Sequence, residues 1–134
     1  MKMKKMIAVM MASILLVCMG VSAYAAVPEP IVPLWDNINS MTNVMVFDGN
    51  DGTASATIIG KPGTTRITGT LTIYESVDGE WIYVDSASGT GTSYLSLTVE
   101  FVGEDDVQYK SVFEVIVTKN GIDEDETKTA YRTC

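Results

Sequence analysis

Between Thr65 and Val84 the chain reads TRITGTLTIYESVDGEWIYV, and its first half alternates strictly, with Ile67, Gly69, Leu71 and Ile73 on one parity and Arg66, Thr68, Thr70, Thr72 and Tyr74 on the other. Successive side chains of a β-strand point to opposite faces, so a period of two predicts a strand with one apolar side and one hydroxyl-rich side. Similar short runs lie at 39–47, 53–61, 65–76, 80–88, 92–102, 107–119 and 124–132. Between them stand Gly49 to Gly52, Pro62–Gly63, Asp78–Gly79, Gly89 to Gly91, Gly103 to Asp106 and Asn120–Gly121. Asp-Gly and Asn-Gly pairs between alternating runs are hairpin signals, and no run carries a helical period. The pattern predicts an all-β fold of about seven antiparallel strands in an immunoglobulin-like β-sandwich. The Cys, Trp, Cys hallmark of antibody domains is absent, so only the architecture is expected.

The alternation also nominates the interior. Ala54, Ala56 and Ile58, then Ile67, Leu71 and Ile73, then Leu95, Leu97, Val99 and Phe101 fall on inward parities, and Tyr109, Phe113, Val115 and Val117 do the same in the sixth run. Val112 and Ile116 make that sixth run apolar on both sides, which predicts a central strand or one covered on both faces. Val44 and Val46 are expected to serve as the first strand's inward residues. Tyr109, at the start of its run, fits a corner tyrosine whose hydroxyl bonds to nearby backbone.

The amino-terminal end has a different character. MKMKK precedes an apolar run from Met6 to Val21 and then SAYAA, so a basic region, a hydrophobic region and a small-residue box follow in order. That is the layout of a secretory signal peptide, cut after Ala25. The run is short for a membrane span, and Val17 stands before Cys18 where lipoprotein processing wants a small residue. The expected organisation is a signal peptide over 1–25, an extended proline-spaced leader over 26–37 and one β-sandwich domain over 38–134.

Export changes the charge and thiol count. Of nine basic residues three leave with the signal peptide, so six face 17 acidic ones and the formal charge moves from −8 to −11. Nucleic acid and, after cleavage, anionic membrane are poor partners for such a chain. Cys134 is the one cysteine left, which precludes an internal disulfide and makes a disulfide-linked dimer through Cys134 the candidate use of the thiol. The address expected is extracellular, free or retained at the cell envelope.

Chemistry is sparse. The chain has no histidine, which removes Ser-His-Asp triads, histidine zinc sites and histidine bases. Glu75, Asp78, Glu80 and Asp85 lie around one hairpin and could flank a glycosidic bond, but a domain this small with short turns offers little cleft for a sugar chain. The expectation is a protein that is not an enzyme and uses no cofactor. Asp48, Asn50 and Asp51 in DGNDG supply oxygens for a calcium candidate, against which the EF-hand order breaks at Gly52, leaving an Asx-rich turn as the plainer assignment. Thr68, Thr70 and Thr72 form a row of the type found on ice-binding surfaces, with Thr53 and Thr57 as a partial second rank; threonine is equally the ordinary choice for a half-exposed strand.

Aromatics supply the strongest binding candidates. Trp81 and Tyr83 share one parity of the fourth run and Tyr74 lies across the hairpin, so all three could stack on sugar rings if exposed. Core packing is the competing assignment and the commoner fate of large aromatics in a small sandwich. The sequence thus supports a secreted binding or interaction module whose partner is an extracellular protein or a glycan, with a small hydrolase as the remote alternative.

The order of Trp35 to Ile38 (WDNI), Gly60 to Ile73 (GKPGTTRITGTLTI), Gly79 to Val84 (GEWIYV), Tyr109 to Val117 (YKSVFEVIV) and Glu126 to Thr129 (ETKT) resembles a family of short secreted proteins from Gram-positive bacteria. The resemblance implies export and an all-β fold, and carries over no site.

Overall fold

A computed structural model describes residues 35–134, so the signal peptide expected over 1–25 and the expected leader as far as Leu34 lie outside the described residues. Seven strands follow: β1 (Ile38–Asp48), β2 (Asp51–Gly60), β3 (Thr64–Val77), β4 (Glu80–Gly91), β5 (Tyr94–Val102), β6 (Gln108–Lys119) and β7 (Ile122–Thr133). They form two antiparallel sheets, β1-β2-β5 and β4-β3-β6-β7. The fold is therefore an all-β sandwich of the immunoglobulin-like kind, with three strands facing four.

Local chemistry sets the turns. Asp78–Gly79 and Asn120–Gly121 all have positive φ, between 51° and 80°, which matches the right-handed twist of the flanking strands and suits these residue types. Glycine serves differently inside β3. A Cβ on Gly69 would sit 2.9 Å from Leu95 and 3.2 Å from Phe113, so the missing side chain makes room for the opposite sheet.

Both sheets contribute to the core, which includes Ala54, Ala56, Ile58, Ile67, Leu71, Ile73, Phe113 and Val117, all essentially inaccessible to solvent. β6 is central, flanked by β3 and β7. Its outer side is not covered: Val112 is half-buried and Ile116 is 42% exposed. Tyr109 is the corner residue, fully buried, with its hydroxyl accepting from the Glu104 backbone N–H at 2.8 Å and donating to Glu75 Oε2 at 3.4 Å. Burial raises its phenol pKa above the usual tyrosine value; the Glu104 N–H opposes this, and the Glu75 carboxylate adds to it.

The first strand departs from expectation. Val44 and Val46 are 56% and 49% exposed, while Met41, Asn43 and Met45 face inward. A register shift between Ile38 and Ser40 inserts Asn39 as an extra residue, so inward Ile38 is followed by the opposite parity. That parity buries Met41 and Met45 and packs Phe47 against the core, more apolar surface than two valines could bury. Asn43 is accommodated because its amide donates to Ser111 O at 2.8 Å and Lys128 O at 2.9 Å, and its carbonyl accepts from Ser111 Oγ at 2.8 Å. Among the described residues no buried side-chain polar atom lacks a partner.

The leader expected over 26–37 ends in a docked segment. Trp35 Nε1 donates to Glu126 Oε2 at 3.0 Å, the Asp36 and Asn37 backbone N–H groups reach Glu124, and Asn37 Nδ2 donates to Val117 O and Ile122 O. Residues 35–37 thus belong with the sandwich, fastened to its second sheet.

Candidate functional site

The sequence-nominated aromatics meet on the outward face of the β4-β3-β6-β7 sheet. On β3 the inward parity of Ile67, Gly69, Leu71 and Ile73 leaves Thr68, Thr70, Thr72 and Tyr74 outward. β4 pairs with it continuously from Ile67↔Gly91 to Ile73↔Asp85, then shifts so that Tyr74 faces Tyr83 and Ser76 faces Trp81. Val84 is the extra residue of that β-bulge. The bulge changes the phase of β4: Trp81 and Tyr83 have the same parity in sequence as inward Ala87 and Gly89, yet they stand opposite outward Ser76 and Tyr74, and Val84 packs against the core between them. The core assignment for Trp81 and Tyr83 is thereby corrected: Tyr83 is 58% exposed and Trp81 half-buried.

The face then assembles across four strands. Register carries Tyr74 to Lys110 on β6 and Lys110 to Tyr131 on β7, so Tyr83, Tyr74, Lys110 and Tyr131 stand in one cross-strand row. Trp81 lies tilted against Tyr131 with ring centroids 6.0 Å apart. The Lys110 ammonium sits 4.6 Å from the Trp81 ring centre and 5.1 Å from that of Tyr74, within cation–π range of both. The Tyr83 hydroxyl is 3.1 Å from Ser86 Oγ.

Beyond the aromatics the same face becomes a sheet of hydroxyls. Thr68, Thr70 and Thr72 stand opposite Thr90, Ser88 and Ser86 of β4, and the Thr70 and Ser88 hydroxyls bond at 2.9 Å. The true second rank of the threonine row is therefore on β4; Thr53 and Thr57 belong to β2 in the other sheet. Val112, Glu114 and Ile116 of β6 interrupt the array. A shallow depression of about 690 Å³ lies at this end, lined among others by Thr68, Thr70, Ser88, Glu114, Asp125 and Thr127.

The other nominated residues do local work. Asn50 closes the β1–β2 hairpin against the β5–β6 loop: its Nδ2 donates to Gly103 O at 3.1 Å and Asp105 Oδ1 at 2.9 Å, and its carbonyl accepts from the Gly103 N–H at 2.7 Å. Asp48 and Asp51 pair across the same turn. With Asn50 acting as a tether, the calcium candidate has no assembled oxygen set, and among the described residues no group of three His, Cys, Asp or Glu is arranged to hold a metal. Of the four hairpin carboxylates, Glu75 accepts from Tyr109, Asp85 accepts from the Ser86 N–H at 2.8 Å, and Asp78 occupies the turn.

Cys134 is not on a loose end. Its backbone N–H donates to Val107 O at 3.0 Å, its carbonyl accepts from the Asp106 N–H at 3.2 Å, and the half-buried thiol lies 3.7 Å from Gly49 O.

Sequence reading missed Tyr131 and Lys110. The signal was present: the Asn120–Gly121 turn sets Lys119 opposite Ile122, and counting back along both strands brings Lys110 opposite Tyr131.

No family model matches the chain, and no curated protein matches it. Among solved structures it is similar to the sporulation control protein Spo0M from Bacillus subtilis, at 13% identity and a TM-score of 0.42 over 72% of this chain and 49% of that one. The chain thus spans about half the length of the Bacillus structure. A protein from Archaeoglobus fulgidus matches at 8% identity and a TM-score of 0.34, over 72% of this chain and 97% of that one.

Proposed function

We propose that this is an exported, non-enzymatic binding module that holds a glycan chain across the outward face of its four-stranded sheet. The observation that carries the reading is the register of the β3–β4 hairpin, which holds Trp81 and Tyr83 opposite Ser76 and Tyr74 on the outward face, with Trp81 beside Tyr131. Aromatic faces exposed to water are costly unless they receive a partner, and the C–H faces of sugar rings are apolar enough to stack on them. The neighbouring hydroxyls of Thr70, Thr72, Ser86 and Ser88 can bond to sugar hydroxyls, and the sheet is long enough for several residues of a chain.

The test is a titration of tryptophan emission and of binding heat with neutral, amino-sugar and acid-sugar oligosaccharides. Binding should shift the Trp81 emission, and Trp81→Ala or Tyr83→Ala should each weaken affinity about 10- to 100-fold, the loss of one central aromatic contact. Tyr94→Ala, an equally exposed aromatic on the other sheet, should leave affinity unchanged. An unshifted emission with all three classes of sugar would remove the proposal.

A further inference from the structure

We infer that Lys110 decides which glycan the face accepts: a chain in which a carboxylate-bearing sugar is set among uncharged ones. The inference rests on the glycan reading above and concerns its selectivity. It starts from where Lys110 is held. The β3–β6 and β6–β7 registers put Lys110 between Tyr74 and Tyr131, and its ammonium lies over two ring faces at once, 4.6 Å from the centre of Trp81 and 5.1 Å from that of Tyr74. Those are the faces a sugar must cover.

A neutral sugar that stacks on Trp81 or Tyr74 has to push the ammonium aside. The cation–π attraction is lost, and the ammonium receives only a neutral hydroxyl or water in return. A sugar carrying a carboxylate changes the exchange. Its acid group draws the ammonium off the rings into a charge-assisted hydrogen bond, roughly twice as strong as a neutral one, and the vacated faces then take the sugar ring. Lysine on a flexible stem suits this movement, since its charge swings while the stem stays on the apolar surface.

The same face limits how many acid groups the ligand can carry. Glu114 stands four residues further along β6, roughly 14 Å away at the ordinary rise of a strand, and Asp125 of β7 lies opposite Ile116 at the same end. Both line the depression. Screening in physiological salt acts over about 8 Å, so Lys110 attracts locally while Glu114 and Asp125 repel a second carboxylate that reaches them. The exported chain as a whole is acidic, at −11, and would resist a continuous polyanion. Alternation of acidic and uncharged sugars fits both conditions.

The experiment compares calorimetric affinities for three hexasaccharide probes: a hyaluronan fragment, which alternates glucuronate with N-acetylglucosamine; chitohexaose, which is neutral; and an oligogalacturonate, which is acidic at every residue. The wild-type protein should favour the alternating probe over both others by about tenfold, and the preference should shrink as salt is raised. Lys110→Met keeps the stem and removes the charge, and should bring the alternating-to-neutral ratio to about one; Lys110→Arg should retain it. Both substitutions sit on the outward face, so the fold is not at stake. A wild-type protein that binds chitohexaose as tightly as the alternating probe, or a Lys110→Met variant that keeps the preference, overturns the inference and leaves the glycan reading standing. Absence of binding to all three probes overturns both together.

Discussion

The sandwich has two outward faces built by the same alternation, and they carry different chemistry. On the β1-β2-β5 sheet the outward positions include Thr42, Val44, Val46, Thr53, Ser55, Thr57, Ser96 and Thr98, with Tyr94 at one end and Glu100 toward the other. On the β4-β3-β6-β7 sheet similar threonine and serine rows lead to Tyr74, Trp81, Tyr83 and Tyr131 gathered around Lys110. β2 and β5 pair over nine consecutive positions with no shift in register, whereas β3 and β4 shift once, at Val84. The unpaired Val84 changes the phase of β4, so that Trp81 and Tyr83 face solvent while Ala87 and Gly89, of the same parity in sequence, face inward. An exposed aromatic surface can thus be made on an ordinary strand by a local change of phase, with little change in composition.

The strongest way to break that comparison is to delete Val84. Pairing between β3 and β4 would become continuous with Tyr83 still opposite Tyr74 and Trp81 still opposite Ser76, so both aromatics stay outward while the packing of Val84 against the core is lost. The deletion should cost about 3 kcal/mol of stability in urea denaturation, the upper end for losing one apolar side chain from the interior. A variant in which Trp81 emission moved to that of a buried indole would show that the hairpin register with Tyr74 and Ser76 is not what holds the aromatics outward.

The phase change in β1 gives the next largest effect. Asn43→Val leaves Ser111 O, Lys128 O and the Ser111 hydroxyl without the partner that Asn43 provides. Loss of about 2–3 kcal/mol is expected in the same denaturation experiment, because groups left unsatisfied in the interior are costly although valine itself suits a strand. A stability within about 0.5 kcal/mol of wild type would mean that water reaches those groups and that the joint between the sheets is open.

These two strands also mark how far the fold could be read from the sequence. The succession of strands along the chain, the hairpin turns and the interiors of β2, β3, β5 and β6 follow from alternation and turn signals, so Ile58, Leu71, Val99 and Phe113 are found where parity puts them, while the order of strands within each sheet does not follow from it. Parity fails wherever a residue is inserted without a pairing partner, as at Asn39 and Val84. A bulge has no composition of its own, so nothing in INSMTNV or EWIYVDS announces one. Parity for that reason points Val44 and Val46 inward, and it leaves Trp81 and Tyr83 open between core and surface. Tyr74, Trp81 and Tyr83 were legible as a group; that Tyr131 and Lys110 complete the group depended on carrying register through β6 to β7.

Tyr109 and Lys110 sharpen the comparison across the thickness of one strand, the first sealed inside and the second over the outward rings. Below about pH 10 the phenol is protonated in folded and unfolded chains alike and adds no pH dependence. As pH rises further the unfolded chain ionises first, because burial holds the folded phenol pKa higher. The native state then binds more protons than the unfolded one, so stability falls with rising pH above about 10. Tyr109→Phe should lose about 1 kcal/mol at neutral pH, through the missing bond to the Glu104 N–H, and should show a shallower alkaline decline. Denaturation midpoints between pH 8 and 11 check both; parallel declines in the two proteins would remove Tyr109 as the cause.

The smallest effect belongs to the plain face, and it tests whether that face is plain. Val44 and Val46 lie on the outward side of edge strand β1 at 56% and 49% exposure. Replacing both by threonine exchanges one methyl for a hydroxyl at each site and keeps the β-branched shape that strands favour. With water available to each hydroxyl, stability should change by no more than about 0.5 kcal/mol per site. Glycan affinity should be untouched, since the aromatics belong to the other sheet. If these valines faced the core, each new hydroxyl would be buried without an arranged partner and would cost about 1–3 kcal/mol. A double variant that loses several kcal/mol would therefore reverse the inner and outer sides of β1 and remove the inward place given to Asn43.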